Sequence, residues 1–341
     1  MIDFIHKLEK KFNTKIIQSD ELIHGTSSFD LDKDGNIKHL YLYKVGLRNL
    51  DLIEPIAENL IDLTLEGCDL ESLGSIQNFK SLVRFELSFN KISDSTLKNI
   101  GNLNKLRELQ LDYTSIEDTS PLGELINLER LHLNDCDDLK AVKGLQNLKN
   151  LSYLNLSSTF VNSIDKIDVR DSLNFLSLRD TVISRISGLD RFPSLKELEI
   201  TGQSISKIEG LEKSISLNRL NVSTTCISKI EGLEQLVNLE ILDLHCAQIE
   251  KIEGLDTLVS LKKLNLSENN IRKVENLGKL TNLEYILLDV NRIKEFDLFF
   301  LDSLPPCFIS LVGNPIKKLD GSIPDHVKIQ FETDHWVPRG I

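Results

Sequence analysis

From Ile37 to Leu319 apolar and polar residues alternate on one recurring line, leucine-x-x-leucine-x-leucine, followed by a small polar position and an isoleucine. The leading position falls at Ile37, Leu60, Leu82, Leu106, Leu128, Leu151, Leu173, Leu195, Leu217, Leu239, Leu261, Leu283 and Pro306, every 22 to 24 residues. A period of this length is the mark of a solenoid, whose repeats share one core and contact only their neighbours. In the repeat that begins at Leu261, Leu264 and Leu266 alternate with Lys263, Asn265 and Ser267, the period of two of a half-buried strand. Ile271, Val274 and Leu277 continue the apolar pattern but leave too few residues for a long helix. Short 3-10 pieces are therefore expected on the outer side, with more helical stretches at 51–59 and 95–102.

The ninth place of the repeat points inward, where a side-chain amide can bond turn backbone in the next repeat. Asn90, Asn269, Asn291 and Asn314 hold it, but Cys68, Cys136, Thr114, Thr225 and Gln203 are among the substitutes, so a less regular ladder is expected mid-chain. Strands stacked about 4.8 Å apart with bulkier material outside must curve. The fold expected is an α/β solenoid, an arc of about 13 repeats with a parallel sheet on its concave face. Caps flank it. Residues 1–36 supply a short amphipathic helix (Ile2, Ile5, Leu8 and Phe12 on one face) and a hairpin strand. Residues 320–341 supply the other cap, with a last strand over 327–331 and Trp336 packed against it.

The lines ISKIEGLE (205–212 and 227–234), IEKIEGLD (249–256) and IRKVENLG (271–278) resemble the 22-residue class of leucine-rich repeats. That class includes the phosphatase-1 regulatory subunit and listerial internalins. The resemblance runs from about 37 to 319 and implies the fold and a protein-binding role, without fixing a partner. Internalins are expected to carry an export signal and a wall-anchoring tail. The start, MIDFIHKLEKKFNTK, has no continuous apolar stretch, which favours the intracellular regulators and a cytoplasmic setting.

Composition narrows the partner. A net charge of −12 argues against nucleic acid and favours a protein with a basic or mixed surface. No run is long and apolar enough for a membrane span. Five scattered cysteines, with no CxxC pair, suit a reducing compartment, although Cys226 and Cys246 lie in adjacent repeats and leave a disulfide open.

No catalytic or phosphate-binding motif occurs, so an enzyme, a cofactor and a metal are not expected. Asp30-x-Asp32-x-Asp34-Gly35 opens like a calcium loop, but its twelfth place is Tyr41 and a hairpin turn explains the same residues. His39, His132 and His245 stand in widely separated repeats and read as solvated strand residues.

The strand face is more informative. The third, fifth, seventh and eighth places of the repeats hold all five tyrosines, a residue enriched where proteins meet. The same places hold twelve acids and six bases. Along the third place Asp62, Arg84, Glu108, Arg130 and Tyr153 alternate in sign and should neutralise one another, with Tyr153 stacking under Arg130. The fifth and seventh places are less balanced. Tyr41, Tyr43, Glu66, Glu86, Phe89, Asp112 and Tyr113 form the first candidate protein-binding patch, with Tyr43 and Asp112 taken as solvent-facing. His132, Tyr153, Phe175 and Arg179 form the second. The function expected is a non-enzymatic interaction module, an adaptor or regulatory subunit binding a protein in its concave face. The rivals are a structural, self-associating repeat protein and a surface or effector protein of internalin type.

Overall fold

Each leading leucine drives the same local event: it and the fourth and sixth residues of its repeat are withdrawn from water, and the residues between them pair with the next repeat. In the repeat from Leu261, Leu261, Leu264, Leu266 and Ile271 are all fully buried, each contributing about 2 kcal/mol of transfer free energy. Lys263, Asn265 and their counterparts stay on the open face. The computed structural model describes residues 2–21, 23–169, 171–297, 301–302, 304–320 and 322–331. Trp336 and the end of the expected C-terminal cap lie outside these residues.

The chain forms two compact units, one of Met1–Val161 with Lys166–Leu173 and one of Asn162–Asp165 with Asn174–Ile341. The first opens with helix α1 (Ile2–Phe12), which buries Ile5 and Leu8. Its strands are β1 (Ile17–Gln18), β2 (Ser28–Leu31), β3 (Ile37–Tyr43), β4 (Asp62–Glu66), β5 (Arg84–Glu86), β6 (Glu108–Gln110), β7 (Arg130–His132) and β8 (Tyr153–Asn155), hydrogen-bonded in chain order. All neighbours are parallel except the hairpin pair β2 and β3. The second unit continues the pattern with β9 (Phe175–Leu178), β10 (Glu197–Ile200), β11 (Arg219–Asn221), β12 (Ile241–Asp243), β13 (Lys263–Asn265), β14 (Tyr285–Leu287), β15 (Glu295–Asp297), β16 (Cys307–Ser310), β17 (Lys318–Asp320) and β18 (Val327–Gln330). Here β9 to β14, β16 and β18 form the parallel sheet, while β15 and β17 pair separately.

On the outer side the segments expected to be more helical are turns, with only one-turn 3-10 pieces at Glu54–Ile56 and Ile100–Asn102. Neither piece has a side-chain hydrogen bond at its N-cap to nucleate a longer helix. In the second unit glycine fixes how closely repeats stack. A Cβ on Gly210, Gly232 or Gly254 would meet the carbonyl oxygen of Ile186, Ile208 or Ile230 at 2.4, 2.7 and 2.4 Å.

The asparagine ladder exists but runs opposite to the expected direction. Asn90, Asn269 and Asn291 each accept the backbone N–H of Leu70, Ile249 or Ile271 and donate to Leu65, Leu244 or Leu266, all in the preceding repeat. Cys68 and Cys136 also reach back, to the carbonyls of Leu42 and Leu111 at 3.2 and 3.3 Å. The threonine hydroxyls instead donate within their own repeat, as Thr225 does to Val222. Gln203 is turned outward, since its longer side chain does not fit the inward place. A second ladder, absent from the sequence reading, lies just before the leading leucines. Asn127, Asn150, Asn238 and Asn282 donate to the carbonyls of Asn104, Ile126, Ile215 and Val259.

The Asp30–Asp34 segment is the hairpin turn. Asp32 accepts the N–H groups of Asp34 and Asn36, and Asp30 pairs with Lys38 at 2.9 Å. Those bonds hold both carboxyls below the usual range. Cys226 and Cys246 are free thiols.

Candidate functional site

The strand face of the first unit is built in columns, because parallel register sets each place of the repeat beside its equivalent. The third-place column closes on itself as its alternating signs predict. Arg84 donates to Asp62 at 3.0 Å and to Glu108 at 3.2 Å. Arg130 lies 3.8 Å from Glu108 and holds its guanidinium 4.0 Å from the centre of the Tyr153 ring. His132, half-buried rather than solvated, packs its ring 4.7 Å from Tyr153. Its Nε2 is enclosed, 3.8 Å from Glu108, and burial lowers its basicity.

The fifth and seventh places are different. Glu66, Glu86 and Asp112 occur in none of the ion pairs among the described residues. Burial, then the charges of Glu66, Asp112 and Asp62, push the Glu86 carboxyl up to about 7. Asp112 is also raised by burial, to about 6, although Asn134 and Gln110 hydrogen-bond it. A carboxyl left this basic is one whose charge the protein has not compensated.

Two site residues expected to face solvent do not. Tyr41 is 4 % exposed: its hydroxyl donates to Glu66 at 2.8 Å and accepts the Gly25 N–H at 3.3 Å, so the segment before β2 covers it. Asp112 is 6 % exposed and is spent on structure, accepting the Asn134 N–H and the Gln110 amide, each at 2.8 Å. Tyr43 is half-buried beside Tyr41, with the Lys44 ammonium 5.0 Å from its ring centre.

Phe89 and Tyr113 are the exposed part, at 52 % and 49 %. Their rings stack with centroids 4.2 Å apart and planes 13° from parallel. Both hold left-handed backbone, with φ of 59° and 56°. That conformation costs a bulky residue about 1–2 kcal/mol, and the eighth place of the repeat imposes it. The Asp135 carboxylate beside it holds the Tyr113 hydroxyl above its usual pKa. The patch thus brings Glu66, Glu86, Asp112, Phe89 and Tyr113 together and adds Ser88 and Asp135, which the sequence reading did not single out. Phe175 and Arg179 belong to the second unit, where Arg179 faces Glu199 at 3.8 Å.

Among the described residues no group of three metal-ligating side chains could hold an ion, and no helix is long and apolar enough to cross a membrane. The site is therefore a surface of carboxylates and stacked rings on a repeat scaffold. The repeat scaffold defines the class, a leucine-rich-repeat protein. A family model of leucine-rich repeats (two copies) matches residues 259–302. An internalin from Listeria monocytogenes, InlF, is similar over 84 % of this chain and 87 % of its own, at 25 % identity and a TM-score of 0.68. A leucine-rich-repeat protein of Leptospira interrogans is similar over 84 % of this chain and 89 % of its own, at 20 % identity and a TM-score of 0.56. By its fold the chain is a leucine-rich-repeat protein, similar in structure to an internalin.

Proposed function

We propose that the protein holds a basic protein partner on the strand face of its first unit, as a cytoplasmic adaptor or regulatory subunit. In solenoids of this class that face is the concave one. The observation that carries the reading is the Phe89–Tyr113 stack: two large apolar rings kept half in water, in a strained backbone, beside uncompensated carboxylates. Exposed aromatics with a charged surround are the usual anchors of protein interfaces. The free, buried thiols of Cys68, Cys136 and Cys307, with pKa values pushed up by burial, suit a reducing compartment.

The test is affinity capture with the wild type and with Phe89→Ala/Tyr113→Ala. Both side chains are exposed, so the double variant should fold. Loss of a basic captured protein is expected; an unchanged captured set would sink the reading. A self-associating protein is the second reading, favoured by the exposed row of Pro193, Ile215, Val237 and Val259, one per repeat in the second unit. It predicts concentration-dependent sedimentation that Val237→Glu abolishes.

A further inference from the structure

The third-place and seventh-place columns cross the same three repeats with one difference. In the third place an arginine separates two acids, Asp62–Arg84–Glu108, and its guanidinium bonds both. In the seventh place the acids recur as Glu66 and Asp112, but the residue between them is Ser88. Glu86 stands on the same face two residues before it. Ser88 is 1 % exposed, and its hydroxyl lies close enough to Glu86 to favour the charged carboxylate yet makes no hydrogen bond of ordinary geometry. The protein thus shows how this sheet satisfies paired acids; in the seventh place Asp112 is held by the Asn134 N–H and the Gln110 amide, which leaves Glu66 and Glu86 in none of the ion pairs among the described residues.

We infer that an arginine of the partner supplies the missing guanidinium, lying on the exposed Phe89–Tyr113 stack with its N–H groups on Glu66 and Glu86, and that it enters with release of a proton. This rests on the proposed interaction face and names the chemistry that the face recognises. A guanidinium suits the site better than an ammonium. Its planar fork bonds two carboxylates at once and its face stacks on an aromatic ring, as Arg84 and Arg130 do in the neighbouring column. The proton comes from Glu86. Around it stand Tyr41 from β3, Asp62 and Glu66 from β4, Arg84 and Ser88 from the β5 repeat, and Asp112 from the β6 repeat. Arg84 is the one cation among them, and Asp62 and Glu108 engage it. An incoming positive charge removes the reason for Glu86 to stay protonated near neutrality.

The probe is a capped Leu-Arg-Leu peptide, with Leu-citrulline-Leu as its neutral isostere, titrated into the protein labelled with carbon-13 at the glutamate carboxyls. The arginine peptide should give saturable shifts at Glu66 and Glu86, and move the Glu86 midpoint down from about 7. Its affinity should rise about tenfold from pH 6 to pH 8, as the ionised fraction of Glu86 does. Ser88→Arg should place a guanidinium between the acids from within, lower the Glu86 midpoint without peptide and abolish binding. Glu86→Gln should flatten the pH dependence, which keeps the test informative if Ser88→Arg does not fold. An equal response to the citrulline peptide, undiminished binding by folded Ser88→Arg, or no carboxyl shift at millimolar peptide each overturns the inference. If the peptide fails while capture of the partner still depends on Phe89 and Tyr113, the interaction face stands and the arginine does not.

Discussion

The two units carry the same repeat but finish their strand faces differently. In the second unit the fifth and seventh places satisfy one another. Asn221 accepts both the N–H and the hydroxyl of Ser223, Asn265 accepts the N–H of Ser267, and Asp243 accepts the N–H of His245 while its carboxylate meets the ring at 2.8 Å. Asp289 accepts the Ser310 hydroxyl and the Val312 N–H. In the first unit Glu86 has acids on both flanks, and Arg84, the cation near it, is engaged by Asp62 and Glu108. Buried polar groups are normally paired, and Ser75, Ser88 and His132 of the first unit, against Ser214 of the second, each have a buried side-chain atom with no hydrogen-bond partner. The outer sides reverse the contrast: there the second unit is the more regular, with glycines at one register against successive carbonyls.

The sharpest way to break this comparison is to place a charge on each face. Asp112→Lys removes the acceptor of the Asn134 N–H and buries an ammonium, and should cost about 3 kcal/mol or more of unfolding free energy in a denaturant titration. Glu268→Lys, at an exposed eighth place of the second unit, should change stability by under about 0.5 kcal/mol. Equal effects would mean that the first face is no more closely packed than the second. Asp112 is therefore the wrong residue for probing binding, despite its place in an acidic patch.

The outer side gives the next largest effect. Gly232 has a φ of 72°, and a Cβ there meets the Ile208 oxygen at 2.7 Å, so Gly232→Ala should cost roughly 2–3 kcal/mol. One repeat tolerates a side chain at the equivalent place. Asn276, with φ 62°, donates its amide to the Ile252 carbonyl at 2.7 Å. Gly232→Asn should then cost about 1 kcal/mol less than the alanine variant. Calorimetry on both variants checks the order; alanine the milder of the two would refute the account.

The solenoid was legible because its signal is burial itself: the leucines at the leading, fourth and sixth places are withdrawn from water throughout. The third-place charge ladder was legible too, since parallel register turns a sequence column into a row of neighbours. Alternation tells which way a side chain leaves a sheet, not whether water reaches it. Tyr41 was misjudged because a segment sixteen residues away folds over it, and Asp112 because its carboxylate turns back to hold the Asn134 backbone. The left-handed eighth place carried only a partial signature, since Gly67, Gly202 and Gly313 hold it in three repeats while Phe89, Tyr113, Thr224 and Val290 occupy it in others. The second asparagine ladder was in plain sight, as an asparagine immediately before Leu128, Leu151, Leu239 and Leu283, but it needed the stacking direction to be understood.

Glu86 gives a smaller effect with a definite sign. Its carboxyl binds protons more tightly in the folded chain, near 7, than at its ordinary value of 4.5, so folding takes up a proton between those values. Stability from this group is present below pH 4.5 and is lost as pH rises through 7. Glu86→Gln, which cannot ionise, should raise unfolding free energy by roughly 2 kcal/mol at pH 8 and leave it unchanged at pH 4. A uniform shift at both pH values would show that crowded charge is not what sets the first face apart.

The smallest effect separates backbone strain from binding. Phe89 and Val290 hold the same left-handed place in the two units, at φ 59° and 53°, and both are more than half exposed. Asparagine visits that conformation readily, so either substitution to asparagine should recover about 1 kcal/mol. At Phe89 the gain is opposed by loss of the Tyr113 stack, a contact of about 0.5–1.5 kcal/mol, and the two should nearly cancel. Val290→Asn should therefore raise the melting temperature, while Phe89→Asn leaves it unchanged and abolishes partner capture. A melting temperature raised by Phe89→Asn with capture intact would make the exposed rings a tolerated imperfection of the repeat. The opposite outcome makes the stack a feature whose strain is offset by its own contact and retained for what binds on it.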